Sequence, residues 1–356
     1  MKWSAQKANE WYEKLPWLVG CNFIPSTAIN QLEMWQAQTF DPVTIDRELE
    51  WAASLGMNSV RVYLHDVAWT ADPDGFKNRV AQYLSIAARH KIRSTLVLFD
   101  DCWYPDPKPG KQPDPKPGQH NSMWLQSPGI TAAQDISEWK RLEAYVSDVV
   151  GTFRHDERVL MWDIYNELGN IFLDTLSLPT WKRIPKLTML LFKHLCLPIA
   201  TLPLFHRTIQ WVRDCSPAQP ITAAIWIPFA RQNKTLIEAS DIVTFHNYKD
   251  AKNLTRQIKK LKSYGRPLMC TEYIARCAGS LFETCLPVMK KEKVGCYNWG
   301  LVSGKTQTIY SWADRGKNVE PAIWYHDIFR KDGTPFSEAE VSVIRELTGV
   351  NKLPGL

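Results

Sequence analysis

Two glutamates at the ends of strand-like segments are the residues of this chain best suited to chemistry. The apolar run 159–165 is followed by Asn166 and Glu167, and a second run, 267–271, ends on Glu272. A buried glutamate without a partner is rare in proteins. Two such carboxylates on separate strands of one repeating pattern suggest a general acid/base and a nucleophile that face one site. Hydrolysis of a glycosidic bond requires such a pair.

Electrostatics assigns the two glutamates different protonation states. Two carboxylates roughly 5 Å apart repel each other by about 3 kcal/mol at an effective dielectric constant of about 20, which corresponds to about two pKa units. Arg61 lies in another strand-like run and is expected to keep Glu272 ionised. Glu167 would then hold the proton near neutral pH and act as the acid. The alternative is that both glutamates are paired core carboxylates without chemistry.

Eight short apolar segments, most of them followed by a helical pattern, predict the strands of a parallel sheet. They lie near 18–24, 58–65, 93–99, 159–165, 221–227, 241–247, 267–272 and 294–300. Between the first two, Asp41 and Pro42 predict the start of a helix, and Gly56 predicts its end. Eight alternating units favour one (β/α)8 TIM barrel with enlarged βα loops, spanning residues 1–356, over an open sheet.

Polar or aromatic residues follow nearly every predicted strand, which is where functional residues of such barrels collect. They are Asn22, Arg61, His65, Asp66, Asp100, Asp101, Cys102, Trp103, Asn166, Glu167, Trp226, His246, Asn247, Tyr248, Glu272, Asn298 and Trp299. This agreement among eight strand ends indicates a single site at one face of the barrel more strongly than either glutamate does alone.

Two insertions interrupt the β/α pattern. Residues 104–118 contain the pentapeptide Asp-Pro-Lys-Pro-Gly twice, and proline at this density predicts a stiff, extended loop above the active face. Residues 170–205 contain the apolar run 187–192, which Lys193 and His194 interrupt too soon for a transmembrane helix. We expect an amphipathic or buried helical excursion there. A weak membrane-surface contact through residues 185–205 is the alternative.

Strand ends that carry Asn-Glu, His-x-Tyr, Thr-Glu and Trp in this order resemble clan A of the glycoside hydrolases, and most closely family five, the cellulase-like family. The resemblance extends from Gly20 to beyond Trp299. It implies a (β/α)8 barrel and a retaining mechanism without a cofactor or metal. It also implies that Glu167 is the acid/base and Glu272 the nucleophile.

The resemblance implies roles for five further residues. Asn166 would bond the sugar 2-hydroxyl, and Arg61 would hold the nucleophile ionised. His246 and Tyr248 would orient the two carboxylates, and Trp299 would stack beneath the sugar.

The chain departs from the family pattern at two places. Leu168 stands where the family has proline after Asn-Glu, and the stretch Asp100-Asp101-Cys102-Trp103 lacks the expected histidine after the third strand. His65 or His120 could take its place, and the sequence does not choose between them. Further candidate sugar contacts are Asp101, Trp103, Glu33, Trp35, Gln307 and Trp312.

Composition excludes several classes of protein. The hydrophobic fraction of 45% and charged fraction of 22% are those of an ordinary soluble globular chain. The net charge of +6 is spread along the chain without a basic block, which argues against nucleic-acid binding. Eight cysteines without C-x-x-C spacing indicate neither a disulfide framework nor a zinc site. These cysteines and an N-terminus without an apolar segment favour a cytoplasmic location.

The sequence therefore predicts a retaining β-glycosidase whose partner is a carbohydrate substrate. The proline loop and the 170–205 insertion could close a cleft into a pocket, which favours exo-action over endo-action. An endo-acting β-glycanase of the cellulase, xylanase or mannanase kind and a carbohydrate-binding pseudoenzyme are the alternatives. The sequence does not separate hydrolysis from transglycosylation.

Overall fold

Eight parallel strands form a barrel in the computed structural model, which describes residues 1–170, 188, 199–227, 231–314, 316 and 319–350. The strands are β1 Val19–Asn22, β2 Ser59–Tyr63, β3 Arg93–Val97, β4 Val159–Asp163, β5 Ile221–Thr222, β6 Val243–His246, β7 Leu268–Tyr273 and β8 Gly295–Trp299. The hydrogen-bonded order is β5-β4-β3-β2-β1-β8-β7-β6. A parallel bridge between Ile225 and Phe245 joins the β5 segment to β6. The predicted (β/α)8 barrel is confirmed.

Helices surround this barrel in the order expected from the sequence. They are α1 Ala5–Glu13, α2 Gln31–Trp35, α3 Pro42–Ser54, α4 Asp66–Ala71, α5 Pro73–Arg89, α6 Ile130–Gln134, α7 Trp139–Phe153, α8 Leu202–Asp214, α9 Asn233–Ala239, α10 Ala251–Leu261, α11 Phe282–Lys291 and α12 Glu338–Thr348. The predicted start of α3 is confirmed, because the Asp41 side chain accepts a hydrogen bond from the Thr44 backbone N–H and Pro42 opens the first turn.

The fifth strand is shorter than the predicted 221–227. After Thr222 the backbone N–H of Ala223 donates to Ser240 Oγ (3.0 Å), a side-chain acceptor just before β6, instead of to a backbone carbonyl. The chain meets the sheet again at Ile225, whose N–H donates to the Thr244 carbonyl (2.9 Å). The strand is therefore interrupted by a side-chain acceptor, a feature that hydrophobic periodicity does not reveal.

The N-terminal end of the barrel is filled with side chains and covered by α1. A cluster of buried residues closes it, comprising Trp3, Ala8, Leu18, Leu160, Met161, Ile242, Met269 and Tyr297. The Tyr297 hydroxyl bonds Ser59 Oγ (2.6 Å) and Thr95 Oγ1 (3.0 Å) across the barrel interior. The Trp3 backbone N–H donates to Asp241 Oδ1 (2.7 Å), which fixes the start of the chain to the barrel. A ligand must therefore enter from the opposite end.

Most of the 170–205 insertion lies outside the described residues, as does the predicted membrane-surface contact. The chain is described again from residue 199, and α8 begins at Leu202 with Pro203 in its first turn. None of the helices described is both long and apolar enough to cross a membrane. The seven cysteines among the described residues are free thiols.

The proline loop 104–118 lies on the active face and is held by amide side chains. Gln36 accepts from the Gly110 N–H (2.6 Å) and donates to the Gly110 carbonyl (3.0 Å). Gln307 donates to the Lys116 carbonyl (2.7 Å) and accepts from the Gly118 N–H (3.1 Å). These bonds anchor the loop at its middle and at its C-terminal end, in agreement with a stiff segment.

Gly20 lies where β1 approaches β2 too closely to leave room for a side chain. A Cβ built on Gly20 would lie 1.5 Å from the Ser59 carbonyl oxygen on β2, whereas one built on Gly151 in α7 meets nothing within 4 Å. We expect Gly20→Ala to lower the free energy of unfolding by at least about 3 kcal/mol, because backbone atoms cannot yield as a side chain does. Gly151→Ala should raise it by about 0.5–1 kcal/mol through helix propensity. Urea unfolding of both variants checks this, and equal midpoints would contradict the close strand approach.

Candidate active site

Both glutamates border a cavity of about 330 Å³ at the carboxyl ends of the strands. This volume falls within the usual range for small-ligand sites. Aromatic side chains form much of the wall, namely Trp103, Trp124, Trp226, Tyr248, Trp299 and Trp312. Trp299 packs edge-to-face against Tyr63 (ring centroids 5.8 Å apart) and Trp124 (5.5 Å), so its ring is held in one orientation.

Glu272, on β7, accepts hydrogen bonds at both carboxylate oxygens. Oε1 accepts from Arg61 Nη1 (3.0 Å) and the Tyr63 hydroxyl (2.9 Å), and Oε2 accepts from the Tyr248 hydroxyl (2.7 Å). His246 Nδ1 lies 3.4 Å from Oε2. The side chain is 5% exposed. This carboxylate is therefore fixed in position and in contact with a permanent cation.

The Arg61 guanidinium is fully buried and joins four strands. Nε and Nη2 contact Asp163 Oδ2 on β4 (2.9 and 2.8 Å), and Nη1 donates to Asn22 Oδ1 on β1 (2.9 Å). Nη2 also donates to Asn166 Oδ1 (2.8 Å). Burial alone would lower the pKa of Arg61, but the neighbouring Tyr63, Asp163 and Glu272 raise it well above its ordinary value. The guanidinium is therefore charged throughout the accessible pH range.

Glu167, directly after β4, is surrounded by donors without charge. Its Oε1 lies 2.8 Å from His246 Nδ1, and its Oε2 accepts from Asn170 Nδ2 (2.5 Å) and Cys102 Sγ (3.2 Å). Burial lowers the pKa of His246 to about 4, so the imidazole is neutral near pH 7. No cation contacts Glu167 among these partners.

Backbone geometry explains why leucine replaces the family proline after Glu167. Glu167 has a φ of 44°, in the left-handed region that residues other than glycine rarely adopt. A proline at 168 would restrict the preceding residue to extended backbone. Leu168 leaves Glu167 free to adopt the strained conformation, which aims its carboxyl into the cavity. Trp103 and Asn121, with φ of 68° and 44°, also line the cavity, and such strain concentrates at functional sites.

The two carboxyl groups differ in their capacity to carry charge. Atoms of Glu167, His246 and Glu272 lie within 4.8 Å of one another, and among the described residues this trio is also the group that could hold a metal ion. Burial raises the pKa of both carboxyls. Since Glu272 contacts the Arg61 cation and Glu167 contacts neutral donors, a proton shared by the pair resides on Glu167.

The residues after β3 support the residues after β4. Asp100 Oδ1 accepts from Asn166 Nδ2 (2.9 Å). Asp101 accepts from the Tyr165 hydroxyl (2.7 Å), the Gly169 N–H (2.6 Å) and Thr201 Oγ1 (2.6 Å). Asp101 thus binds the chain immediately before the 170–205 insertion and again near the end of that insertion. Its oxygens are occupied by protein donors, which corrects the expectation that it contacts a sugar.

Most predicted site residues lie together, and some do not. Asn166, His246, Tyr248, Trp103, Trp299 and Trp312 line the cavity with the two glutamates, while Arg61 lies directly behind Glu272. Of the two candidate histidines, His120 lines the cavity, and its Nδ1 lies 2.9 Å from the Tyr310 carbonyl oxygen. His65 is fully buried at the start of α4, where Nδ1 accepts from the Val67 N–H (3.2 Å), which removes it as a sugar contact.

Three further candidates do not border the cavity and are corrected. Trp35 is fully buried, and its Nε1 donates to the Tyr63 carbonyl (2.7 Å). Glu33 pairs with Lys305 Nζ (2.7 Å) and accepts from the Ile29 N–H (2.7 Å) just before α2. Gln307 binds the proline loop, as described above. In each case a protein partner occupies the polar atoms that were expected to meet a sugar.

Sequence reasoning missed several residues of the site. Tyr63 lies two residues after Arg61, so the alternation of a strand places both on one face and could have identified it. Asp163, three residues before Asn166, is the second anion of Arg61. Cys102 was placed at the end of the third strand but given no role, and Trp124 carried no such signal, because loop backbone determines its direction.

No protein-family model and no curated protein sequence matches this chain. Solved structures do match its fold. A β-mannanase from the blue mussel Mytilus edulis aligns with a TM-score of 0.59 at 14% identity, covering 94% of this chain and 92% of that one. An endo-β-1,4-mannanase from Thermotoga petrophila aligns with a TM-score of 0.56 at 14% identity, covering 94% and 78%.

An exo-β-1,4-mannosidase from an Opitutaceae bacterium (strain TAV5) aligns with a TM-score of 0.56 at 17% identity. It covers 93% of this chain, which spans 60% of the mannosidase. At these sequence identities, the structural similarity shows a shared fold and nothing more. The protein therefore shares the TIM-barrel fold with these glycoside hydrolases, as expected from the alternating β/α pattern of its sequence.

The buried ion pairs of Arg61 predict a large effect on stability. We expect Arg61→Met to lower the free energy of unfolding by about 3–5 kcal/mol, because Asp163 and Glu272 would be left buried without a cation. Arg89→Met is the matched control, since Arg89 pairs with Asp46 at the surface and such pairs contribute about 0–1 kcal/mol. Urea unfolding measures both. A loss at Arg61 no larger than that at Arg89 would contradict the charge balance described here.

Proposed function

We propose that this protein is a retaining β-glycoside hydrolase, with Glu272 as nucleophile and Glu167 as acid/base. The observation that carries the proposal is the asymmetry of the two carboxyl groups. Their nearest oxygens lie within 4.8 Å, one group contacts Arg61, and the other contacts neutral donors. Carboxyl groups about 5–5.5 Å apart are typical of retaining enzymes, whereas inverting enzymes need about 6.5–9.5 Å to admit a water molecule.

In the first step the ionised Glu272 attacks the anomeric carbon while Glu167 transfers its proton to the glycosidic oxygen. The bond from the anomeric carbon to that oxygen breaks, and the aglycone leaves as an alcohol. Arg61, Tyr63 and Tyr248 hold the Glu272 carboxylate against rotation. Asn166 lines the cavity beside Glu167 and is held by Arg61 and Asp100, which suits it to bond the sugar hydroxyl next to the reacting carbon.

In the second step a water molecule attacks the anomeric carbon of the glycosyl ester. The now ionised Glu167 takes a proton from this water, and the ester bond to Glu272 breaks. The sugar leaves with its original configuration, and both carboxyl groups return to their starting states. A second sugar in place of water would give transglycosylation with the same residues.

The substrate we propose is a β-mannoside or a short β-linked oligosaccharide. Support comes from the neighbours, which are a β-mannanase, an endo-β-1,4-mannanase and an exo-β-1,4-mannosidase. A further related structure was determined with Manβ1-4GlcNAc bound. These names describe other proteins. Their use here is to decide which sugars are tested first on this protein.

We infer exo-action from the aromatic wall on one side of the cavity. His120 lies between Trp103 (ring centroids 5.8 Å apart) and Trp312 (6.4 Å), and Trp312 packs edge-to-face on Tyr248 (5.0 Å). This row of rings supports a pocket that is closed on one side and admits the end of a chain. Endo-action, which the name of the Thermotoga petrophila neighbour states for that protein, is the alternative.

The two carboxyl roles predict different variant kinetics. Glu272→Gln should lower kcat about 10³-fold or more on every substrate, because the nucleophile is lost. Glu167→Ala should lose much less on glycosides with activated leaving groups, which need no acid, and azide should restore its activity by forming a glycosyl azide. Glu33→Gln, outside the cavity, serves as the control with activity near that of the wild type. If Glu272→Gln retained more than a few per cent of the wild-type activity, the assignment of Glu272 as the nucleophile would be refuted.

A screen of aryl β-glycosides distinguishes exo-action from endo-action. We expect the aryl β-mannoside to be hydrolysed, because a pocket binds a single terminal sugar and needs no longer chain. Mannan oligosaccharides of increasing length are assayed beside it, with Glu272→Gln as the blank. Turnover of the long oligosaccharides without turnover of any aryl monoglycoside would contradict exo-action.

A further inference from the structure

The thiol of Cys102 makes a hydrogen bond to the proposed acid/base. Cys102 lines the cavity and is 7% exposed. Its Sγ lies 3.2 Å from Glu167 Oε2 and accepts from Asn166 Nδ2 (3.3 Å). Its backbone N–H donates to Asp100 Oδ1 (2.9 Å), which fixes the residue between the ends of β3 and β4.

The sulfur carries a proton and directs it at Glu167. Burial, together with the negative charges of Asp100, Glu167 and Glu272, raises the pKa of Cys102 well above its ordinary value, so the group is a thiol. The Asn166 amide N–H points at the sulfur lone pairs, and the carboxylate oxygen is the acceptor that faces the S–H. A buried thiol of this kind is a poor nucleophile and a weak hydrogen-bond donor.

We propose that Cys102 is a positioning residue that sets how tightly Glu167 holds its proton. This inference rests on the proposed role of Glu167. A weak donor stabilises the ionised carboxylate less than a hydroxyl or a cation would, so Glu167 stays protonated for the first step. When Glu167 has given up its proton, the same S–H still provides a partner for the new charge and keeps the carboxylate aimed at the site of the incoming water.

Replacing Cys102 removes no charged group from around Glu167, although the Asn166 and Asn170 amides lose the sulfur as an acceptor (3.3 and 3.5 Å). The titratable and charged groups that face Glu167 are Arg61 on β2, Asp100 after β3, His246 and Tyr248 at the end of β6, and Glu272 on β7. Since Cys102 is neutral, its replacement by a neutral residue changes no formal charge in the site. A change in the pH profile therefore reports the loss of the hydrogen bond.

The test compares Cys102→Ala with Cys102→Ser in profiles of kcat/KM against pH. The basic limb reports deprotonation of the acid in the free enzyme. Removing a donor to the ionised form raises the pKa of Glu167, so activity should persist to higher pH in Cys102→Ala, by on the order of one pH unit. Serine restores a hydrogen-bond donor, although its Cβ–Oγ bond is shorter than the Cβ–Sγ bond of cysteine and leaves a longer distance to Glu167. The basic limb of Cys102→Ser should therefore lie at lower pH than that of Cys102→Ala.

The matched control is Cys21→Ala, which removes a fully buried thiol from β1 away from the carboxyl groups. It should leave the basic limb where the wild type has it, even if stability falls. An unchanged limb in Cys102→Ala, a limb moved to lower pH, or coincident limbs for alanine and serine would overturn the positioning role.

A second readout separates this inference from the proposed function. The carboxyl of Glu167 is titrated directly by ¹³C NMR of protein with labelled glutamate, with Glu167→Gln used for assignment. If no glycoside is turned over, the proposed function fails, and the titration still decides the role of Cys102. A higher titration midpoint for Glu167 in Cys102→Ala supports the inference, and an equal or lower midpoint overturns it.

Discussion

The charge of Arg61, enclosed within the barrel, is the constraint on which the active face depends. Removing a guanidinium from water costs several kcal/mol unless opposite charges and hydrogen-bond acceptors surround it. Asp163 and Glu272 supply the charges, and Asn22 and Asn166 supply further acceptors. These partners come from β1, β4 and β7 or their ends, so satisfying one buried ion fixes the relative positions of the strand ends.

The same ion gives the two glutamates different chemistry. Arg61 contacts Glu272 and Asp163 directly, whereas Glu167 receives hydrogen bonds from an amide and a thiol and lies beside a neutral imidazole. Two carboxyl groups so close together cannot both ionise comfortably. The cation therefore determines which one keeps the negative charge, and the left-handed backbone of Glu167 directs the other into the cavity. Fold, charge balance and proposed reaction thus follow from one arrangement.

Periodic features of the sequence predicted the fold and the centre of the site. Seven of the eight predicted segments contain the observed strand and β7 runs one residue past its predicted end, because strands buried on both faces read as short apolar runs. Glu167, Glu272, Arg61 and Tyr248 follow from strand ends and from the family resemblance, and the structure brings them together. Tyr63 could have been predicted as well, because it lies two residues after Arg61 and therefore on the same face of β2.

Residues outside the strands could not be placed in this way. Trp35 and His65 have the residue types of a sugar-binding site, yet Trp35 packs in the core and His65 caps a helix. His120 and Trp124 reach the cavity from a long loop, where no period links sequence position to side-chain direction. Sequence thus identifies a residue at a strand end more readily than it identifies the partner that its polar atom meets.

The most direct test of the central claim is covalent trapping of the nucleophile. The protein is incubated with an activated 2-deoxy-2-fluoro β-glycoside of the sugar that it turns over, which slows release of the glycosyl-enzyme. Intact-mass and peptide measurements then locate the label. We expect one fluoroglycosyl group per chain, attached through the Glu272 carboxylate on the β7 peptide, and no label on Glu272→Gln. A label on another residue, or steady turnover with inverted product and no adduct, would contradict the assignment of Glu272 as the nucleophile held ionised by Arg61.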